Sequence, residues 1–206
     1  EIYGRAMVHK SVSSFLRTDS DSFTGNHRSV LALSEDKFGK PQVITTNYDH
    51  LFEIAAAKEG EYLNHYQSGA FPRLTRESGL NGLVYLHGRL DELADQGQTQ
   101  NFILSEKDFG HAYLTEGLAR QMLMEVIQSK HLVLLGYSGN DPVVQYLFRG
   151  LQALPNSSGF HIYAFTNDGN PEALALWKQR GVKPLVYDSS EGHDVMWKSL
   201  ELWSSM

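Results

Sequence analysis

The chain has 206 residues, of which 41% are hydrophobic and 20% are charged, and its formal net charge is −6. This length and composition predict a single globular domain over residues 1–206, and the acidic balance argues against direct binding to nucleic acid. The chain contains no cysteine, which excludes disulfides, thiolate catalysis and every cysteine-based zinc site.

The pattern of apolar residues indicates neither a membrane span nor a secretory signal peptide. Because the lack of cysteine fits a reducing cytosol, we expect a cytoplasmic protein. The chain begins with Glu1 rather than Met, so we expect a trimmed or internal piece of a longer protein.

The first forty residues predict helices and a loop. Ile2–Phe15 has a loose helical period, the polar segment Thr18–Ser29 predicts a loop, and Val30–Leu33 predicts a short helix. His9 and His27 have no partner at metal-ligand spacing, so we interpret both as surface residues.

The β-branched run Val43–Thr46 is typical of a buried strand. Asn47, Tyr48 and Asp49 follow it and lead into an apolar-patterned helix over residues 50–58. Asp49 either caps that helix or contributes to a ligand site, and both interpretations remain open. Asn47 is not required by a bare strand-to-helix turn.

A second buried strand is predicted at Leu83–Leu86, after a mixed, loop-rich stretch over residues 61–82. It ends on His87 and Gly88. An imidazole at a strand end is either merely a polar terminus or a group for proton transfer, and the residue alone favours neither.

Phe102–Leu104 predicts a third strand, and the following Ser105–Asp108 matches a capping box, which starts a helix. Residues 114–129 predict the clearest helix of the chain. Its core face is predicted from apolar residues at steps of three and four: Leu114, Leu118, Met122, Val126 and Ile127.

His131–Tyr137 is apolar at consecutive positions, which predicts a central parallel strand buried on both faces. It runs into a turn with Gly136, Ser138 and Asp141 before a predicted helix over Val143–Leu151. A glycine-bearing turn from strand to helix can present backbone N–H groups to a phosphate or a ribose.

The rest of the chain alternates between the two element types. Strands are predicted at Phe160–Phe165 and Val182–Val186, and helices at Pro171–Arg180 and Met196–Trp203. The alternation predicts an α/β, Rossmann-like fold: an open, mostly parallel sheet with helices on both faces.

Polar residues stand at successive predicted strand ends, which line one crevice in a parallel sheet. They are Asn47, Asp49, His87, Ser138, Asp141 and Asn167. Amides, hydroxyls and carboxylates suit ribose hydroxyls, and the imidazole suits proton transfer. The chain has no G-x-S-x-G turn, no Walker loop and no metal-type pairing among its nine histidines. These features predict a nucleotide-sugar or dinucleotide pocket without a metal.

Three ordered motifs, ITTNYD (44–49), LHG (86–88) and LLGYSGNDP (134–142), resemble those of sirtuin-like domains in bacterial NAD-consuming proteins. The resemblance runs from about residue 41 to the C-terminus and includes SEKDF (105–109). It implies NAD⁺ as the substrate and Asn47, Asp49 and His87 as the residues that cleave nicotinamide from ribose. It also implies nucleotide contacts from Thr46, Tyr48, Gly136, Tyr137, Ser138, Asp141 and Asn167.

The chain departs from that family in two places. Deacylating sirtuins carry a four-cysteine zinc module after their histidine–glycine motif, whereas Arg89–Asn101 is short and free of cysteine. We therefore expect no zinc, and NAD⁺ hydrolysis rather than deacylation. The family's first strand and glycine-rich loop have no match before Val43, so they lie upstream or are lacking, and this piece alone is expected to be inactive.

The resemblance implies an NAD⁺ glycohydrolase that acts as an effector of bacterial antiviral, abortive-infection defence. It further implies a homo-oligomer, or control by a sensor domain or a partner protein. Three alternatives remain open: a non-catalytic module that senses NAD or ADP-ribose, an NAD-dependent deacylase, and an interaction domain whose strand-end polar groups are only caps.

Overall fold

The structure, a computed structural model, describes residues 4–67, 70–74, 79–90, 102–137, 145, 148 and 161–206. The described helices are α1 (Arg5–Phe15), α2 (Gly25–Leu33), α3 (Leu51–Lys58), α4 (Glu106–Gly110), α5 (Leu118–Ser129), α6 (Pro171–Gln179) and α7 (Asp194–Ser204). The π-helical segment His111–Thr115 follows α4 directly. The described strands are β1 (Gln42–Thr45), β2 (His65–Gln67), β3 (Gly82–Tyr85), β4 (Leu132–Leu134), β5 (Ile162–Thr166) and β6 (Val182–Val186).

The chain divides into two compact units. The first unit comprises Glu1–Arg73, Ser78–Ala119 and Leu200–Met206, and the second comprises Leu74–Glu77 and Arg120–Ser199. Each unit holds one parallel sheet in its described residues.

The sheet of the first unit has the strand order β1–β3–β2, with every described pair parallel. All four residues of β3 are buried, as expected for the central strand of the sheet. Helix α2 packs against both α3 and β1. The apolar cluster that joins these elements consists of Leu31, Val43, Ala55, Ala56, Leu63, Leu83 and Tyr85.

Strand β3 begins at a glycine for a steric reason. Gly82 has a φ of +146°, and a Cβ at this position would collide with the backbone carbonyl of Asn64. The close approach lets the Gly82 N–H donate to the carbonyl of Pro41 at 2.7 Å and the Leu83 N–H donate to that of Asn64 at 2.8 Å. The absence of a side chain therefore sets where β3 enters between its two neighbours.

The sheet of the second unit has the order β4–β5–β6, again with parallel pairing. Strand β5 alternates between buried and half-buried residues. Helix α6 starts where the sequence supplies both an N-cap and a proline. The side-chain oxygen of Asn170 accepts from the Glu172 N–H at 2.9 Å, and Pro171 occupies the first turn.

The predicted α/β, Rossmann-like fold is confirmed: the sheets are parallel and helices lie between the strands along the chain. The strand Val182–Val186 and the helix after Asp49 lie where the sequence predicts them. The capping box at Ser105 is also confirmed, since its hydroxyl accepts from the Asp108 N–H while the Asp108 carboxylate accepts from the Ser105 N–H. The prediction that residues 1–206 form one domain stays a prediction.

Several predicted elements are wrong. Phe102–Leu104 is not a strand: Ile103 donates one backbone hydrogen bond to the carbonyl of His87, and the chain then enters α4. The loop predicted over Thr18–Ser29 ends early, because α2 begins at Gly25. Strand β2 lies inside the stretch interpreted as loop. The sequence analysis missed it because its three residues are polar or aromatic and do not form an apolar run.

The long helix predicted over residues 114–129 is interrupted. Gly117 has a φ of +70°, which separates the π-helical segment from α5. Leu114 and Leu118 are consequently 63% and 43% exposed, whereas the rest of the predicted core face is buried: Met122, Val126 and Ile127.

The prediction that β4 is buried on both faces is wrong. In the part of the chain that the structure describes it pairs only with β5, and Val133 is 49% exposed. The helix predicted over Val143–Leu151 lies outside the described residues, apart from Gln145 and Phe148, which are helical.

The interpretation of His9 and His27 as surface residues is also wrong. His9 is buried and its ring lies 5.2 Å from that of Phe102. His27 is half-buried and meets the ring of Phe52 edge-on at 4.8 Å. Among the described helices, none is both long and apolar enough to cross a bilayer.

Candidate functional site

Asn47 and His87 occupy equivalent places on neighbouring strands. Thr45 and Tyr85 are register partners at the carboxyl ends of β1 and β3, and each candidate residue lies two positions further on. The Leu86 N–H continues the ladder by donating to the Thr45 carbonyl at 2.9 Å. The two backbones therefore leave the sheet together at the edge where parallel sheets bind ligands.

The loops that follow, residues 46–50 and 86–90, are bonded to each other, and we name them the paired loops. The Leu90 N–H donates to the Tyr48 carbonyl at 2.8 Å. The Leu90 carbonyl lies 2.6 Å from Nε2 of His50, which must carry a proton because a carbonyl only accepts. These bonds fix the separation of the two loops.

Residue Ile103 adds a third connection to the paired loops. The Tyr48 hydroxyl donates to the Ile103 carbonyl at 2.7 Å, and the Ile103 N–H donates to the His87 carbonyl at 3.0 Å. Burial, and then the nearby Asp108 carboxylate, raise the pKa of the Tyr48 phenol above its ordinary value. Tyr48 is thus a protonated donor committed to the backbone.

The two polar residues of the first loop differ in their surroundings. Asn47 is exposed, and its backbone N–H donates to the Thr45 hydroxyl at 3.1 Å. Asp49 is half-buried, and its Oδ1 accepts from the Leu51 N–H at 3.0 Å. Asp49 lies one position before the N-cap, His50, and satisfies the free N–H of the first residue of α3, in line with the structural interpretation left open by the sequence. Thr46, between the strand and Asn47, is half-buried.

His87 is only 8% exposed. Its Nε2 lies 3.0 Å from the hydroxyl oxygen of Tyr113, which is itself buried. Tyr113 belongs to the π-helical segment and stacks on Phe109 with ring centroids 4.2 Å apart. Single π-helical turns often occur at functional sites, where they re-aim one side chain. The turn here aims the tyrosine at the imidazole, a partner that the sequence did not reveal.

The carboxylate of Glu53 contacts the second of the paired loops, and the sequence did not indicate it. Glu53 Oε1 accepts from Arg89 Nε and Nη2 at 3.0 and 2.8 Å, and Glu53 Oε2 accepts from the Tyr85 hydroxyl at 2.6 Å. His65 Nδ1 lies 3.3 Å from Oε1. We name these four residues the Glu53 cluster. The sequence gives no signal for this pair, because Glu53, in the first turn of α3, and Arg89, next to the His87–Gly88 pair, meet only in the folded chain.

Two groups of this cluster have shifted acidities. Burial, followed by the Glu53 carboxylate, raises the pKa of the Tyr85 hydroxyl far above its ordinary value. Burial, followed by the Arg89 guanidinium, lowers the pKa of His65. Tyr85 therefore stays protonated and His65 is neutral near pH 7, so the charge of Glu53 is balanced by Arg89 alone within the cluster.

The remaining candidates lie in the second unit or outside the described residues. Gly136 follows β4 with a φ of +76° and is exposed, and Tyr137 beside it is half-buried. Asn167 is exposed at the end of β5, and its amide donates to the Ser189 hydroxyl at 3.3 Å. Ser138 and Asp141 lie outside the described residues. The described residues include no group of three or more His, Asp or Glu side chains that could hold a metal ion.

Comparison with known proteins identifies the family of this chain. The model of the SIR2-like domain matches residues 41–185, which contain the paired loops, the glycine turn after β4 and both described sheets except the last residue of β6. The chain belongs to the SIR2-like domain family. The matched region starts one residue before β1, where the resemblance in the sequence also begins, and it ends at residue 185, short of the C-terminus.

Two curated relatives match most of the SIR2-like chain. The uncharacterized protein y4cA of Sinorhizobium fredii is 32% identical over 198 residues, or 90% of the chain. Defense-associated sirtuin 2 of Bacillus subtilis is 23% identical over 172 residues, or 80% of the chain. The chain spans about a sixth of the length of each, since the matches cover 16% of both relatives.

Proposed function

We propose that this SIR2-like chain is an NAD⁺ glycohydrolase that cleaves the bond between nicotinamide and ribose. The observation that carries the proposal is the placement of Asn47 and His87, two residues beyond the register partners Thr45 and Tyr85, on loops bonded to each other. Membership of the SIR2-like family supports the choice of NAD⁺ as substrate.

The proposed reaction adds water across the glycosidic bond, so NAD⁺ and water give nicotinamide, ADP-ribose and a proton. As in glycoside hydrolysis, the anomeric carbon passes through an oxocarbenium-like state while nicotinamide leaves with the bonding electron pair. The protein then has to orient the ribose, position a water and accept one proton.

The three catalytic candidates divide these tasks in the proposal. Asn47, whose side chain is exposed, orients the ribose or the attacking water through its amide. His87 accepts the proton from a ribose hydroxyl or from that water, because an imidazole titrates near neutral pH. Asp49 stabilises the positive charge that develops on the ribose while its carboxylate accepts from the Leu51 N–H at the start of α3.

Nucleotide binding is proposed for two groups of residues, one in each unit. Thr46 and Tyr48 flank Asn47, and the turn after β4 offers backbone N–H groups to phosphate or ribose. Within the proposal, the turn contributes Gly136, Tyr137, Ser138 and Asp141, and the end of β5 contributes Asn167. No residue of the chain is assigned to zinc, since the sequence has no cysteine.

A role in antiviral defence is part of the same proposal. It is supported by the similarity to defense-associated sirtuin 2, and depletion of NAD⁺ is a direct way to stop an infected cell. Such an activity has to be silent before infection. We therefore propose that it works in the cytoplasm and that self-association, a sensor domain or a partner protein switches it on.

The direct test is to incubate the full-length protein with NAD⁺ and to follow nicotinamide and ADP-ribose by chromatography. The proposal predicts equal molar amounts of the two products. Binding of NAD⁺ by calorimetry with no product would favour the sensing module. Transfer of an acyl group from an acylated peptide to ADP-ribose would favour the deacylase, and no binding at all would favour an interaction domain.

A further inference from the structure

Glu53 is in contact with three separate elements of the first unit. His65 belongs to β2, Tyr85 ends β3, and Arg89 lies in the loop after β3. Glu53 itself is on α3, in the turn that follows the 46–50 loop. A single carboxylate therefore links α3 to both strands and to the second of the paired loops.

The contacts of the cluster reach the backbone of the proposed catalytic residues. The Tyr85 hydroxyl lies 2.6 Å from Glu53 Oε2 and 2.9 Å from the carbonyl oxygen of Asp49. One proton serves both acceptors, so the phenol sits between the helix carboxylate and the first loop. On the other side, Arg89 is separated from His87 only by Gly88, which has a φ of +100°.

Three members of the cluster are largely removed from water, whereas His65 lies at an exposed position. Tyr85 is fully buried, and the side chains of Glu53 and Arg89 are 18% and 22% exposed. A charge pair at this depth is held in one geometry, because two donors of a planar guanidinium meet the same carboxylate oxygen. A surface ion pair lacks this constraint. Arg28 and Glu59, at the other end of α3, are 56% and 50% exposed at 3.2 Å.

We propose that Glu53 is a positioning residue, which through Arg89 and Tyr85 sets the place of His87 relative to Asn47 and Asp49. The proposal rests on the proposed function for its effect on catalysis. Glu53 does not touch the substrate in this scheme. It removes freedom from the two loops, and a displacement of about 1 Å between reacting groups can cost on the order of a hundredfold in rate.

The test compares Glu53→Gln with Glu59→Gln in the full-length protein. Both variants remove one carboxylate charge from the same helix, but only the first breaks the buried pair. We expect Glu53→Gln to lower kcat for NAD⁺ hydrolysis by about ten- to a hundredfold with little change in KM, because ordering of the loops matters most at the reacting centre. Glu59→Gln is expected to match the wild type.

Hydrogen exchange measured by mass spectrometry separates positioning from general stability. Loosened loops would raise exchange at the N–H group of Leu90, which bonds to the first loop, and at that of Leu86, which bonds to Thr45 at the end of β1, by about tenfold or more. Exchange at Leu83, inside β3, should stay the same. A purely structural role would speed exchange at all three amides and leave kcat unchanged below the unfolding temperature.

The outcomes are distinct. Equal kcat and equal loop exchange in the two variants overturn the positioning role and leave the proposed function standing. If the wild type releases no nicotinamide, the proposed function fails. The positioning role is then judged from exchange alone: faster exchange confined to Leu86 and Leu90 supports it, and any other pattern overturns it. If Glu53→Gln does not fold, Tyr85→Phe, which removes the hydroxyl and keeps the ring, is measured in the same way.

Discussion

The hydroxyl oxygen of Tyr113 lies 3.0 Å from Nε2 of His87, and both side chains are buried. The bond fixes the rotation of the imidazole. Because a hydroxyl can both donate and accept, Nε2 can make this bond in either tautomer. Tyr113 of the π-helical segment thus controls the orientation of the His87 ring, the proposed proton acceptor.

Replacing Tyr113 by phenylalanine tests that control. Tyr113→Phe keeps the stack on Phe109 and removes only the hydroxyl. We expect kcat for NAD⁺ hydrolysis to fall about tenfold, which corresponds to the loss of one buried hydrogen bond, and the pH profile of kcat to shift. Steady-state kinetics between pH 5.5 and 9 measures both. An increase in activity would mean instead that the tyrosine blocks the imidazole.

Asp49 can be tested for its two roles separately. Asp49→Asn retains an oxygen that can accept from the Leu51 N–H, so the bond at the start of α3 survives while the charge is lost. We expect an unchanged unfolding temperature and a fall in kcat of about tenfold or more. Asp49→Ala removes that bond as well and should also lower the free energy of unfolding by about 1 kcal/mol. Full activity in Asp49→Asn would leave the residue with a structural role alone.

The stability of the first unit should depend on pH through His27. Burial lowers its pKa, with the Asp49 carboxylate acting in the opposite direction, and its Nδ1 has no hydrogen-bond partner among the described residues. A lowered pKa in the folded state means that the unfolded chain binds the proton more readily. Stability is therefore full above the ordinary histidine pKa of about 6.5 and falls as the pH drops below it.

Urea unfolding of the chain at pH 7.5 and pH 5.5 measures that dependence. We expect His27→Gln to reduce the loss of stability between the two pH values, whereas His111→Gln, at an exposed position, should leave it unchanged. His65 also has a lowered pKa and accounts for part of the remaining loss. Equal losses in wild type and His27→Gln would contradict the burial argument.

Gly82 is expected to be intolerant of any side chain. A Cβ there would meet the Asn64 carbonyl, and a φ of +146° is unfavourable for other residues. Gly82→Ala should lower the free energy of unfolding by roughly 1–3 kcal/mol. Gly60→Ala is the control, because Gly60 also has a positive φ, +78°, but open space around it. A loss no larger than that of the control would show that β3 can shift to make room.

The sequence predicts the strands that carry β-branched or apolar runs, because those residues report burial directly. Strands β1, β3 and β6 are therefore found within one or two residues. It fails for β2, whose three residues are made into a strand only by pairing with β3. It also fails at Phe102, which is buried as a single side chain against His9 and Tyr48 rather than in a sheet.

The same division holds for the site. The sequence indicates Asn47 and His87, because polar residues directly after buried strands are visible in one dimension. It does not indicate Glu53, Arg89 or Tyr113, since their importance comes from contacts between segments 26 to 36 positions apart. Such residues look like ordinary helix or loop positions until the strands are paired.

The central claim is that an amide on the first paired loop and an imidazole on the second act on NAD⁺ together. Its most direct test is nicotinamide release by the full-length protein carrying Asn47→Ala or His87→Ala, with Asn64→Ala, an exposed amide at the start of β2, as control. We predict that both site variants lose release by on the order of a hundredfold or more, while the control keeps the wild-type rate. Near-normal release from either site variant would contradict the claim.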